Sequence, residues 1–510
     1  MYQILFHRRP KCNVEFCMKL SKNSKNFWAI RIISEVAFCA LSPAMADDTG
    51  FLKSQIAIPL DFPYNEGAMP ILTPANRQGE RTVIMQPYQN LNSAGLAQEL
   101  RQVRQDLDAW KARGLKLNMA RGKPGRAQLD MVSDILTVLT RPEQCLSDGI
   151  DARNYGELAG LPAARRYWAG VLGCRMEETI AGGNASLTLM YDLISKAYSH
   201  GLLHSEAPWC RLEKVKFLCP APGYDRHFRI TESFGAELIP IAMTITGQDM
   251  DRVEELVKDP AVKGIWCVPK YSNPDGIVYS PDTIRRLAGL RPAAPDFVLM
   301  WDNAYCVHEF DGPYVPFPDI LSLCREAGNP DMVFEFASTS KITLPGAGMS
   351  VMAASEANLQ YMQKLMGVQM ISYDKVNQLR QVLYLRDKEH TLEIMAEHGR
   401  ILKPKFQMVL DTLERELAPR ELGHWQRPKG GYFVSYYAPA GTAKRTLELC
   451  KEAGVVMTAA GATYPYGVDP HDSNIRIAPS LPPVEELEQA MEIFCLCVRQ
   501  ATLEKLTQER

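Results

Sequence analysis

Phe334-Glu335-Phe336-Ala337-Ser338-Thr339-Ser340-Lys341 places one lysine after an apolar run and a cluster of small hydroxyl residues. A lysine amine becomes a nucleophile toward an aldehyde only where desolvation or neighbouring positive charge lowers its pKa, and hydroxyls beside it can hold a phosphate. Two more stretches put polar residues after an apolar run: Tyr271-Ser272-Asn273-Pro274-Asp275-Gly276 and Met300-Trp301-Asp302-Asn303-Ala304-Tyr305. Short apolar runs at Lys216–Cys219, Gly264–Val268, Phe297–Trp301 and Met332–Phe336 alternate with helical segments such as Met250–Lys258 and Pro281–Leu290. Ser280 caps the last of these, and Pro281 takes its first position. Runs of this length, rich in Val, Ile and Phe and separated by helices, predict a largely parallel sheet buried on both faces. Ligands of such sheets sit beyond the carboxyl ends of the strands, where this reading puts Tyr224, Asn273, Asp302, Tyr305 and Lys341.

Outside that region, Ser93 to Lys116 carries helical spacing through Leu100, Val103, Leu107 and Trp110, with a helix-stopping Gly114 near its end. After Ile401 the pattern turns helical, then passes through Gly430-Gly431-Tyr432-Phe433-Val434-Ser435-Tyr436 into further alternation. A smaller α+β domain from the C-terminal third, joined by part of the N-terminal segment, follows from this.

In their order and gaps the three blocks resemble the fold-type-I pyridoxal phosphate (PLP) enzymes, the aspartate aminotransferase superfamily. Asn118-Met119-Ala120-Arg121-Gly122-Lys123-Pro124, Asn154-Tyr155-Gly156 with Gly160, Gly182-Gly183-Asn184-Ala185-Ser186 and Asn474-Ile475-Arg476-Ile477-Ala478-Pro479-Ser480 extend the likeness. With the lysine motif S-x-S-K-x-T-x-x-G-A-G at Ser338 to Gly348, they resemble one bacterial-type branch of aspartate aminotransferases, from about Met85 to near the C-terminus. The resemblance implies an α/β fold of PLP fold type I: a large domain with a mostly parallel central sheet flanked by helices, plus a smaller α+β domain. On this reading residues 1–84 are an extension, 85–150 contribute to the small domain, 151–400 form the large PLP-binding domain and 401–510 the C-terminal small domain.

The resemblance also implies roles. Lys341 holds PLP as a Schiff base and moves the substrate α-proton. Asp302 faces the ring nitrogen, and Tyr305 and Asn273 are aimed at the ring's 3-oxygen. Tyr224 stacks on the ring face. Asn184, Ala185 and Ser186, at the start of a helix over Leu187 to Tyr198, take the phosphate with Ser338 and Ser340. Tyr155 resembles the tyrosine that reaches that phosphate from the partner subunit, which implies a homodimer with shared active sites. Arg476 grips the substrate α-carboxylate with its two-pronged guanidinium, and Asn273 and Gly122 border the substrate. Arg121 and Lys123 offer a cation for a distal carboxylate. Where many superfamily members carry an arginine eight residues after the lysine, this chain has Met349, so the phosphate charge is balanced differently.

Composition bounds these readings. The chain has 510 residues, 46% hydrophobic and 23% charged, with a net charge of -2, which suits a globular protein of two or three domains. No basic stripe or helix-turn-helix pattern points to nucleic acid, and no segment reaches the length of a membrane span. Thirteen cysteines without a C-x-x-C pair suggest a reducing compartment and no metal site; Cys495 and Cys497 read as buried positions of a C-terminal helix. Residues 1–46 are basic-rich, and their apolar stretch Ala29 to Leu41 ends at Pro43-Ala44-Met45-Ala46. They read as a disordered extension in a cytoplasmic protein, or as an organellar transit peptide.

The expected activity is amino transfer from L-aspartate to 2-oxoglutarate by a ping-pong mechanism, acting on small amino acids and 2-oxo acids. An aminotransferase for alanine or aromatic amino acids, a PLP-dependent β-lyase, and a PLP-sensing transcription regulator remain as alternatives.

Overall fold

A computed structural model describes residues 86–510. The expectation for residues 1–84, an extension that is either disordered or targeting, lies outside the described residues.

Eight strands form the main sheet: β1 (Thr179–Ala181), β2 (Lys216–Ala221), β3 (Glu237–Thr244), β4 (Gly247–Gln248), β5 (Val262–Cys267), β6 (Val298–Asp302), β7 (Val333–Ser338) and β8 (Ser350–Ala354). Their order across the sheet is β1-β8-β7-β6-β5-β2-β3-β4. β7, β6, β5, β2 and β3 run parallel, while β8 is antiparallel to both of its neighbours and β4 folds back on β3. The four apolar runs became β2, β5, β6 and β7, with ends within two residues of those expected.

Those strands read as unbroken apolar runs because helices cover both sheet faces. Leu218, Ile265, Leu299, Trp301 and Val333 point into one core, and their neighbours Phe217, Trp266, Met300, Phe334 and Phe336 into the other, as the two-residue period of a strand requires. No apolar run announced β1, β3 or β8. β1 has three residues, β8 is Ser-Val-Met-Ala-Ala, and β3 alternates buried with accessible residues and contains Pro240.

A third core joins distant parts of the chain. Helix α1 (Ser93–Ala112) is capped by the Asn92 side chain, and the chain turns at Gly114, which takes a φ of 64°. Its buried face, Leu96, Leu100, Val103 and Leu107, packs with the long C-terminal helix over Val484–Gln508 and with residues of the strands Val434–Tyr437 and Asn474–Ile477. Each such side chain contributes roughly 1.5–3 kcal/mol by leaving water, and together they fix the segment Met119 to Gly122 that follows. Cys495 and Cys497 lie buried on the C-terminal helix. Val132, from the segment 85–150 expected in the small domain, packs in a core of the large sheet instead.

The helix Lys388–Glu416 belongs to both regions. Ile394 and Met395 pack against the large sheet, and Leu402, Phe406, Val409 and Leu413 enter the third core, so the division drawn at 400/401 falls inside one helix. Among the described residues no helix is long and apolar enough to cross a membrane.

Candidate active site

The C-terminal ends of β7, β6, β5 and β2 open onto one cavity of about 520 Å³. Most residues singled out in the sequence meet there. Lys341, Ser338 and Ser340 come from β7 and the turn after it, Asp302 and Tyr305 from β6, Asn273 from the loop after β5, and Tyr224 from the end of β2. Ala185 and Ser186 enter from the start of helix α2 (Ser186–Ser199), Arg121 and Gly122 from the segment behind α1, and Arg476 from the strand Asn474–Ile477.

Two residues stay outside. Tyr155 is 80% exposed, so within one chain it does not reach the cavity. Asn184 stands at the edge, where its carbonyl accepts a hydrogen bond from Ser340 Oγ at 3.1 Å.

Lys341 is enclosed except where it meets the cavity. Desolvation by burial lowers its pKa, and the charge of Asp302 partly restores it. Its Nζ lies 4.7 Å from the centre of the Tyr305 ring. The backbone of this segment is clamped from behind. His398 Nε2 donates to Ile342 O at 2.9 Å, so His398 Nδ1 accepts from Gln128 Nε2, also at 2.9 Å. Gln128 Nε2 also reaches the Tyr432 hydroxyl at 3.1 Å, and that hydroxyl donates to Lys341 O at 3.4 Å.

Asp302 is 3% exposed. Its Oδ2 accepts from His227 Nε2 at 2.9 Å, while Oδ1 is buried without a partner. A carboxylate oxygen left bare in a wall costs free energy unless a donor arrives. The His227 ring is held rigidly, stacked on Trp266 at 4.3 Å with planes 6° apart and met edge-on by Tyr224 at 4.9 Å.

Arg476, 7% exposed, donates to Asn273 Oδ1 at 3.1 Å and to Asp225 Oδ1 at 3.3 Å, and its other arm reaches Thr458 Oγ1 at 3.3 Å. Its guanidinium covers the Phe433 ring at 4.8 Å and leaves Nε unpartnered. A Cβ at Gly122 would come within 2.7 Å of Phe433 Cζ, so any larger residue there would have to displace that ring.

At the other end, Ser338 Oγ donates to Ser340 Oγ at 3.1 Å. Helix α2 begins with no side-chain cap, which leaves the first-turn amides of Ser186 and Leu187 free for an anion, while that of Thr188 donates to Ala185 O. Met349 is fully buried in an apolar core and cannot meet an anion.

His227, Asp225, Arg226, Phe433 and the Gln128–His398–Tyr432 cluster went unnoticed in the sequence. His227 carried a faint signal, since it stands three residues after Tyr224 in Tyr224-Asp225-Arg226-His227, one helical turn on.

An unpartnered buried carboxylate oxygen, a desolvated lysine, and hydroxyls beside a bare helix start fit a cofactor with a cationic ring nitrogen, an aldehyde and a phosphate. Comparison with known proteins points the same way. Residues 91–510 match the family model described as aspartate amino-transferase. The chain is 45% identical over 402 residues to the aspartate aminotransferase of Corynebacterium glutamicum, covering 79% of this chain and 93% of that one. An aspartate transaminase crystal structure from the same organism superimposes with a TM-score of 0.80 at 43% identity, over 82% of this chain and 99% of the other. The α-aminoadipate aminotransferase of Thermus thermophilus, solved with N-(5'-phosphopyridoxyl)-L-leucine, shares the fold with a TM-score of 0.61 at 21% identity, over 78% and 95% of the two chains.

Proposed function

Because the chain belongs to the aspartate amino-transferase family and is a PLP-dependent aminotransferase, we propose that it moves the amino group of L-aspartate to 2-oxoglutarate by a ping-pong reaction in the cavity around Lys341. The observation that carries this reading is the bare Asp302 Oδ1 in the same cavity as a desolvated Lys341 amine. The substrate class is supported by charge, since six cationic side chains line the cavity against two acidic ones, and by the 45% identical relative named for aspartate.

When bound, PLP supplies an aldehyde carbon for the amino group and a ring that takes up the electron pair of the broken Cα–H bond. Lys341 would hold it, and Asp302 Oδ1 would keep the proton on its ring nitrogen. Asn273 and Tyr305 would donate to the ring oxygen, and Tyr224 would offer its ring face. Ser338, Ser340 and Ser186, with Asn184, Ala185 and the free amides of α2, would take the phosphate.

Lys341 Nζ, whose pKa desolvation lowers toward that of a usable base, takes the proton from the substrate Cα and gives it back on the far side of the transfer. Arg476 exchanges Asp225 for the substrate α-carboxylate, which a planar fork matches with two hydrogen bonds. Gly122 lets Phe433 support that fork, and Arg121 draws anions to the rim. Tyr155, exposed on this chain, enters the cavity of a second copy, so the active unit is a homodimer. Cysteines Cys145 to Cys497 among the described residues are free, in keeping with a reducing setting.

Initial rates with L-aspartate, L-alanine and L-phenylalanine as donors to 2-oxoglutarate test the reading. Aspartate should lead the panel; a higher kcat/KM for either other donor, or release of ammonia from a donor with a β-leaving group, refutes it.

A further inference from the structure

Besides Lys341 and Arg476, four cationic side chains line the cavity: Arg121, Lys123, Arg226 and Arg229. None of the four side chains has a hydrogen bond or ion pair among the described residues. Arg121, Lys123 and Arg229 are exposed, so water and salt screen them. Arg226 is half-buried in the wall, where an unpaired guanidinium is costlier and its field in the cavity is stronger. The two carboxylates of the cavity are engaged, Asp302 with His227 and Asp225 with Arg476. With Asp225 held by Arg476, Arg226 has no counter-ion among the described residues, and an anionic ligand would supply one.

Position in the sheet narrows which anion that is. The hydroxyls Ser338 and Ser340 follow β7, and the bare helix start follows β1, two strands further along the same edge. Arg226 follows β2, three strand positions from β7 in the order β7-β6-β5-β2, or about 14 Å at ~4.8 Å per strand. It occupies the first turn of helix α3 (Asp225–Ser233). Its neighbour Asp225 touches Arg476. Burial pushes the Tyr224 hydroxyl up to about 12, Asp302 and Asp225 add to the rise, and Arg226 and Arg476 both oppose it, so both guanidiniums act on one phenol. Arg226 thus stands with Arg476, away from the hydroxyl cradle.

We infer that Arg226 binds the distal carboxylate of the dicarboxylic substrates while Arg476 holds the α-carboxylate. This rests on the dicarboxylate reading above and assigns its specificity to a half-buried wall residue of the same chain, in place of the rim residue Arg121.

Calorimetric titration of the holoenzyme with succinate and with propionate tests it, together with the single-turnover loss of the cofactor absorbance band on mixing with L-aspartate or L-alanine, which needs no acceptor. Arg226→Gln should weaken succinate about 10–100-fold, as expected for lost charge-assisted hydrogen bonds, and slow the aspartate half-reaction similarly. Propionate affinity and the alanine half-reaction should stay within a few-fold, and cofactor content should be unchanged. Arg226→Lys, which keeps the charge without the fork, should fall between. Unchanged succinate binding in Arg226→Gln, or an equal loss in Arg121→Gln alone, overturns the inference; so does loss of cofactor from Arg226→Gln, which would assign this arginine to the phosphate. Failure of the underlying reading looks different: the wild-type protein itself would then bind succinate no better than propionate.

Discussion

His227 Nε2 stands 2.9 Å from Asp302 Oδ2, leaving Oδ1 of the same buried carboxylate as the only atom of that group open to a further donor. One histidine thereby orients the acid and leaves one of its oxygens unpartnered. Removing one partner of a buried charged hydrogen bond costs about 1.5–3 kcal/mol, which is about 10–100-fold in rate when it falls on the transition state. His227→Ala should lower kcat/KM for the amino donor by that factor, with the fold retained by circular dichroism. Unchanged kinetics would remove His227 from the account.

Arg476 contacts Asn273, Asp225 and Thr458 through both terminal nitrogens. A lysine keeps the charge and loses the fork. Arg476→Lys should raise KM for L-aspartate and for 2-oxoglutarate about 10–100-fold, seen in steady-state rates over a range of each substrate. An unchanged KM would mean that the α-carboxylate is held elsewhere.

A Cβ at Gly122 would press on the Phe433 ring, and Phe433 carries Arg476 on its face. Gly122→Ala should displace the ring and misplace the guanidinium. The expected result is a raised KM with a small change in Tm, since the residue lies at the cavity wall; a normal KM would show that the ring yields freely.

Asp275 is buried and accepts both contacts from the Tyr437 hydroxyl, at 2.9 and 3.0 Å. Burial raises its pKa to about 6 from 3.8, against the hydrogen bonds of Ser435 and Tyr437. A raised folded-state pKa means that the folded protein holds this proton more tightly, so the contribution to stability is full below about pH 4 and is lost as pH rises through 6. The loss is about 3 kcal/mol for a shift of this size. Asp275→Asn removes the titration, so its Tm relative to wild type should increase between pH 4 and pH 7; a constant difference would contradict the assignment.

How much of this was legible in the sequence follows from which contacts are local. β2, β5, β6 and β7 announce themselves because both faces of each strand are buried and the apolar run is unbroken. β3 hides because it alternates, and the helix Lys388–Glu416 blurs a domain division because it serves two cores. Lys341, Asp302 and Asn273 stand out because each ends or follows a strand. His227, Gln128 and His398 do not, since their partners lie 75, 270 and 56 residues away, and no local pattern marks such pairings. Tyr155 shows the converse: its motif is legible, but a single chain leaves it in solvent.

The central claim is that the Lys341 amine carries the cofactor. Purified protein reduced with borohydride and digested for peptide mass spectrometry should show one phosphopyridoxyl adduct, on the peptide containing Lys341, and the adduct should vanish in Lys341→Ala. An adduct on another lysine, or none on protein that is yellow before reduction, would contradict the account.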